Sequence, residues 1–361
     1  MKNFIFKSIL FILPFAFMFI LNTFLYNPRE GALVRLGYLY LNPSPKSIII
    51  SQYNLSKRYT LLSEINLKER KHFDVITIGD SFSEQDSLGY KNIIGHKGLK
   101  VLHIDRFISG MNPIQTLINL LNSEFFNNVS ADYIVLQIVE RSFNTRINGI
   151  DFEMTINIDS LSNQMNQHAE PIPKYDLQFF SDATLKVPIT NIQYIFQAKP
   201  TYSKTYKYTS IGNNLFSNEP KDLLFYQGDI DNMKIKNDSL NIKKGIKVLE
   251  RLNEKLSKRK MKLIILISPD KYDLYFNHIM DNKHLTKPLF FQFYEQFDKN
   301  YINIDSYEIL SGKLKSERDI YFYDDSHWSP VGAKVVAEEI YEILMEDKAR
   351  THKIVYKKLR V

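Results

Sequence analysis

The chain has no cysteine, which removes disulfides, zinc–thiolate sites and cysteine nucleophiles from consideration. That absence fits either side of a membrane. There is no HExxH pair, so zinc-protease chemistry has no footing, and there is no glycine-rich phosphate loop and no internal repeat. A large excess of one charge is also missing: 47 Lys and Arg face 40 Asp and Glu, a formal net charge of +7. Such a balance permits attraction to anionic surfaces without demanding it. The two basic clusters, residues 255–260 and 353–360, lack the interleaved aromatics that single-stranded nucleic acid wants. They read as solvated faces, and no nucleic-acid partner is expected.

What is present is enough for a full hydrophobic core. The 361 residues are 44% hydrophobic and 24% charged, the composition of a globular protein built as one large domain or a domain with an insertion. The first segment differs from the rest. Lys2 and Lys7 precede an apolar run that continues to Tyr26, and about nineteen helical residues at 1.5 Å each span the roughly 30 Å of a bilayer core. No small-x-small cleavage site follows, since residues 23–27 are bulky. The expectation is an uncleaved signal anchor over residues 1–27, inserted in the membrane through residues 4–26. Its N-terminus is placed inside and the body outside the cytoplasm, in the periplasm or at the cell surface. Pro14 is compatible with a membrane helix.

Beyond the anchor, residues 28–70 read as a juxtamembrane segment with Pro28, Pro43 and Pro45, then an amphipathic piece near residues 55–67. Strands are predicted at 73–78, 99–104, 132–139, 261–268 and 301–304, with a further apparent strand at 320–323. Helices are predicted at 113–126, 242–259, 289–297 and from Pro330 or Val331 to about 346. Residues 150–240 are rich in Asn, Ser, Tyr and Pro with irregular apolar spacing, so they read as an insertion over the core. The alternation implies an α/β domain over residues 71–348, with a mostly parallel central sheet covered by helices on both faces. A basic tail occupies 349–361.

Two distant segments carry chemistry. Gly79-Asp80-Ser81-Phe82-Ser83 follows a buried-strand candidate, where α/β sheets place ligands. A serine there, ahead of a helix, has an exposed hydroxyl and backbone N–H groups nearby to hold an oxyanion. The bland alternative is turn chemistry, with Asp80 or Ser81 capping the next helix. Asp324-Asp325-Ser326-His327-Trp328 precedes the final helix and includes the chain's one tryptophan. A histidine within three positions of a carboxylate has what a general base needs, a group that fixes its tautomer and stabilises the imidazolium. Asp324 and Asp325 both qualify. Ser83 competes with Ser81 as nucleophile, and Ser81 is preferred because it lies directly at the strand's end.

These residues resemble a known family. Gly-Asp-Ser near the start and Asp-x-x-His near the end follow the order of SGNH (GDSL-type) hydrolases. The string Asp324-Asp-Ser-His-Trp-Ser-Pro-Val-Gly-Ala333 is more similar to the polysaccharide O-acetyltransferase branch, AlgJ/AlgX-like or PatB-like. The resemblance covers roughly residues 73–145 and 240–345. It implies a flavodoxin-like three-layer fold, with Ser81 as nucleophile and His327 as base. Asp324 fits the Asp-x-x-His spacing and Asp325 the Asp-x-His-Trp spacing of the alginate enzymes; the hydrolase order favours Asp324.

The resemblance also implies an oxyanion hole built from the Ser81 N–H and a second-block glycine, for which Gly110 is the candidate. The third-block asparagine is missing, because Glu140-Arg141-Ser142 stands in its place. Arg141, or Asn112 from the other loop, is the substitute, and an ion pair with Glu140 or another acid is the competing role for Arg141. Trp328, Lys271 and Tyr272 are candidates for substrate contact, with core packing for Trp328 and a turn at Pro269-Asp270-Lys271 as the alternatives. The implied activity is O-acetyl transfer from an acetyl donor to a glycan acceptor, with no cofactor and no metal. The donor side implies a membrane-bound acyl-transfer protein as partner. A carbohydrate esterase with the same triad, or an inert glycan-binding or assembly subunit, are the competing functions.

Overall fold

The computed structural model describes residues 2–25, 31–41, 43–108, 110–161, 182–212 and 214–358. Its centre is a six-stranded, wholly parallel sheet in the order β1-β3-β2-β4-β7-β8. The strands are β1 (Thr60–Leu61), β2 (Lys71–Ile78), β3 (Val101–Ile104), β4 (Val129–Val139), β7 (Lys262–Ser268) and β8 (Ile302–Ile304). A separate antiparallel hairpin joins β5 (Thr205–Thr209) to β6 (Asp222–Tyr226). Leaving aside the short edge strand β1, the order is the doubly wound, flavodoxin-like one expected from the sequence.

Strands buried on both faces need apolar residues in both registers, and the sheet divides them accordingly. Val75, Val101, Val135, Ile264 and Leu266 point to one face, where they meet helices Tyr90–His96 and Pro330–Lys358. Ile76, Leu102, Ile134, Leu136 and Ile265 point to the other, under helices Pro113–Asn122 and Ser239–Ser257. Three layers result. The chain runs from β2 to β3 on one side of β2, then returns to β4 on the other side. The carboxyl end of β2 therefore opens at the point where the winding reverses, the place where such sheets bind ligands.

Several local expectations needed correction. The helix expected over 113–126 breaks at Ser123, whose hydroxyl donates to the Leu120 carbonyl (2.9 Å) and accepts from Phe125 N; a serine offering such local bonds competes with helix continuation. Residues 320–323 are not a strand but form one isolated bridge, Tyr321 to Trp328. The amphipathic piece near 55–67 forms no α-helix: it supplies edge strand β1 and a short 3-10 turn, Leu62–Glu64. The final helix runs past 346 into the stretch read as a tail, reaching Lys358.

In the expected insertion, the β5–β6 hairpin buries Leu223, Leu224 and Phe225 in the core that also holds Tyr272 and Tyr275. Residues 162–181 of that insertion lie outside the described residues. The helix Lys2–Leu25 is long and apolar enough to cross a membrane, and none of residues 2–20 is buried.

Candidate active site

Gly79 directly follows β2, in a position only glycine can fill. A Cβ there would stand 2.1 Å from the Ser83 hydroxyl and 2.6 Å from Gln137 Oε1. The loop that follows is held by polar bonds to the neighbouring strand β4. Asp80 N donates to Gln137 Oε1 (2.9 Å), and Asp80 Oδ2 accepts from Val139 N (2.7 Å) and Arg146 Nη1 (2.5 Å). The tight turn continues with Ser83 N bonded to the Asp80 carbonyl. The sequence places a helix directly after this serine, but the next α-helix begins only at Tyr90. Ser83 is fully buried and its hydroxyl meets Tyr90 Oη (2.8 Å) and Gln137 Oε1 (3.0 Å). Ser81 alone of the two faces outward.

His327 Nε2 lies 2.8 Å from Ser81 Oγ, and His327 Nδ1 lies 2.6 Å from Asp325 Oδ1. A serine, a histidine and a carboxylate thus form one hydrogen-bonded line, the arrangement that serine-based acyl transfer needs. The carboxylate in contact with the ring is Asp325, not the Asp324 that the hydrolase order favoured. Asp324 turns the other way: Oδ2 accepts from the Ser44 hydroxyl and Oδ1 from Lys46 N (2.9 Å). Residues 323–327 form a tight turn, and within it the two adjacent carboxylates point to different partners. Burial alone would raise Asp325, but the His327 ring and the Lys46 ammonium outweigh it and hold this carboxyl well below the usual range. For Asp324 burial prevails, and its carboxyl is raised.

The remaining candidates fall elsewhere. Trp328 is fully buried, edge-on to Phe82 at 4.7 Å and to Tyr90 at 6.3 Å, so it packs the wall behind the serine and offers no face to a sugar. Lys271 and Tyr272 are also fully buried and cannot touch substrate. Lys271 Nζ donates to the carbonyls of Phe322 (2.8 Å), Tyr323 (2.6 Å) and Asp325 (3.2 Å), pinning the histidine loop from beneath. Tyr272 Oη reaches the Thr286 carbonyl.

Asn112 caps helix Pro113–Asn122 through Oδ1 and donates from Nδ2 to the Arg146 carbonyl (3.1 Å), so its side chain is engaged in holding the loop after β3. Arg141 makes ion pairs, but with Asp270 (2.7 Å) and Asp229 (3.3 Å) rather than Glu140. Gly110 is exposed on the loop after β3, with φ +71°. The Ser81 N–H donates to no other described residue.

Behind this, Glu140, Asp270 and Asp273 converge closely enough to hold a metal. Lys236 Nζ already sits among them at 3.0, 2.8 and 2.8 Å. An ammonium occupies the place a cation would take, and the cluster ties the β4 and β7 loops together.

Sequence reasoning missed the residues that frame the cavity. About 530 Å³ of open space lies over Ser81 and His327, walled also by Lys46, Gln85, Arg106 and Phe322. Gln85 Nε2 donates to the Trp328 carbonyl (2.7 Å), joining the serine loop to the histidine loop. None of these residues belongs to a motif, and only their position two to five residues from a motif or strand end marked Gln85 and Arg106.

Residues 221–358 match the family model described as the SGNH hydrolase-like domain of acetyltransferase AlgX. That region includes the 324–327 loop and leaves Ser81 outside. Over 108 residues the chain is 30% identical to the "Probable alginate O-acetylase AlgJ" of Pseudomonas syringae pv. tomato (strain ATCC BAA-871 / DC3000). The overlap covers 29% of this chain and 28% of that relative, so little more than a quarter of the relative's length is spanned. No solved structure gives a significant match.

Proposed function

We propose, from the SGNH hydrolase-like domain of the AlgJ/AlgX branch that this chain carries, that it is a serine-dependent O-acetyltransferase acting on glycan hydroxyls. The observation that supports this reading most is the line Ser81–His327–Asp325, with contacts of 2.8 and 2.6 Å, on the floor of a cavity large enough for a sugar.

In the first half-reaction His327 Nε2 takes the Ser81 proton as Oγ attacks the carbonyl carbon of the acetyl donor. Asp325 stays ionised and holds Nδ1–H, so the ring presents Nε2 as the acceptor and the imidazolium is stabilised as it forms. The tetrahedral oxyanion is held by the Ser81 N–H and the Gly110 N–H. Its collapse releases the donor's leaving group, which takes the proton back from His327. In the second half His327 removes a proton from a sugar hydroxyl, whose oxygen attacks the acetyl-serine. Ser81 Oγ leaves with the proton returned from His327, and the enzyme is restored.

The apolar helix Lys2–Leu25 would tether the domain to a membrane, with the glycan on the extracytoplasmic side. The same triad with water as acceptor gives an esterase; only exclusion of water from the acyl-enzyme separates the two. The deciding assay supplies the protein with an activated acetyl ester, with and without a glycan acceptor. Acetylated glycan at the expense of free acetate supports transfer. Hydrolysis indifferent to acceptor supports the esterase, and no turnover of any ester supports an inert binding subunit.

A further inference from the structure

The loop that carries His327 is gripped by a part of the chain no motif marks. Residues 31–41 and 43–51 follow the apolar helix in sequence, and they bond directly to the His327 loop. Leu33 N donates to the Asp324 carbonyl (3.0 Å) and Ala32 N to Asp325 Oδ2 (3.2 Å). The approach is so close that a Cβ at Gly31 would lie 2.0 Å from the Asp324 carbonyl oxygen. Ser44, the N-cap of helix Pro45–Ser51, donates its hydroxyl to Asp324. At the second position of that helix, Lys46 places Nζ 2.5 Å from Asp325 Oδ2, with its own side chain 29% exposed at the cavity wall and that of Asp325 only 2% exposed.

We infer that Lys46 is a positioning residue for the Asp325–His327 pair, so that the segment after the membrane helix is a working part of the active site. The inference rests on the reading of Ser81 and His327 as the reacting pair. Asp325 has two oxygens. Oδ1 faces His327 Nδ1 and the His327 backbone N–H, while Oδ2 is taken by Lys46 Nζ and Ala32 N. With both oxygens engaged, the carboxylate cannot rotate, and it presents one fixed acceptor to the ring.

The ammonium also moderates the field at the imidazole, because a cation beside the carboxylate offsets part of the attraction that favours His⁺. The other charged groups around the pair are Asp324 on the same loop, Lys271 behind it, and Glu84, Asp86 and Arg106 on the cavity wall. Among the described residues Lys46 is the lysine or arginine in contact with the Asp325 carboxylate.

The test uses the full chain in detergent micelles, as wild type, Lys46→Met and Lys46→Arg. Two rates are followed between about pH 5 and 9, the range where a histidine titrates. One is fluorophosphonate labelling of Ser81; the other is carbethoxylation of His327 by diethyl pyrocarbonate, read by peptide mass spectrometry. Lys46→Met should slow labelling about 10- to 100-fold through misplacement of the ring. It should also move the acid limb of both profiles up by about one pH unit, since an unopposed Asp325 keeps the ring protonated longer. Lys46→Arg should keep the wild-type limb and recover most of the rate.

A rate loss with unmoved limbs, or an arginine variant no better than methionine, would overturn the inference and leave Lys46 a packing residue. Wild type that never labels at Ser81, while the carbethoxylation limb still shifts in Lys46→Met, would sink the acyl-transfer reading and uphold the positioning of Asp325.

Discussion

His327 Nδ1 lies 2.6 Å from Oδ1 of Asp325, while the neighbouring Asp324 gives its carboxylate to Ser44 and Lys46 N. Two adjacent acids therefore have separate tasks. Asp325→Asn should lower the rate of acetyl transfer by about 10⁴-fold, the loss seen when a triad carboxylate can no longer hold the imidazole tautomer. Asp324→Asn should instead weaken the clasp on residues 31–51, lowering stability by about 1.5–3 kcal/mol, the range for a hydrogen bond to a charged group. Its effect on the rate should be the smaller of the two. Equal kinetic losses in parallel assays would contradict this division.

Trp328 belongs to the wall, not to a sugar platform. Its ring is fully buried against Phe82 and Tyr90. Trp328→Ala should destabilise the protein by about 3–5 kcal/mol, as loss of a large buried aromatic does. Denaturant unfolding reads this directly. A variant as stable as wild type but with a selectively raised KM for the glycan would return Trp328 to the substrate site.

Lys271 gives a pH-dependent signature. Burial pushes its ammonium down to about 7, against the opposing pull of Asp324, Asp325 and Asp229. A lysine depressed on folding binds its proton more weakly in the native state than in the unfolded chain. Its contribution is therefore fully present above the ordinary lysine value of 10.5 and is lost as pH falls through about 7. Between these limits stability should climb with pH by up to about 1.4 kcal/mol per unit. Unfolding of wild type and Lys271→Met should diverge across that window, with wild type gaining relative to the variant as pH rises. Parallel pH dependences would show that the buried amine keeps its proton.

Much of the scaffold was legible because buried parallel strands are short apolar runs. Residues 73–78, 132–139 and 261–268 stand out against Asn- and Lys-rich surroundings; the first two lie within observed strands and the third exceeds its strand by one residue. The run 320–323 carries the same aromatic signal for another reason. Tyr321 and Tyr323 are buried by side-chain packing in a loop, with Tyr321 Oη bonded to the Pro269 carbonyl. Local pattern cannot tell burial in a loop from burial in a sheet.

The site divided in the same way. Ser81 and His327 sit in local motifs, so their types and order carried the signal. The choice between Asp324 and Asp325 did not, because it is made by Ser44 and Lys46, some 280 residues away in sequence. Arg141 looked available only because its partners, Asp229 and Asp270, come from other loops. Long-range ion pairing is the part of the chemistry that no short window of sequence encodes.

The central claim is that Ser81 carries the acetyl group, and trapping that group tests it most directly. Wild type and Ser81→Ala are incubated briefly with an activated acetyl ester, quenched in acid and digested, and the peptide spanning Ser81 is read by mass spectrometry. Wild type should carry one acetyl group on Ser81, which disappears on addition of a glycan acceptor as acetylated glycan appears; Ser81→Ala should carry none. An unmodified Ser81 peptide from protein that still turns over the ester, or equal turnover by Ser81→Ala, would contradict it.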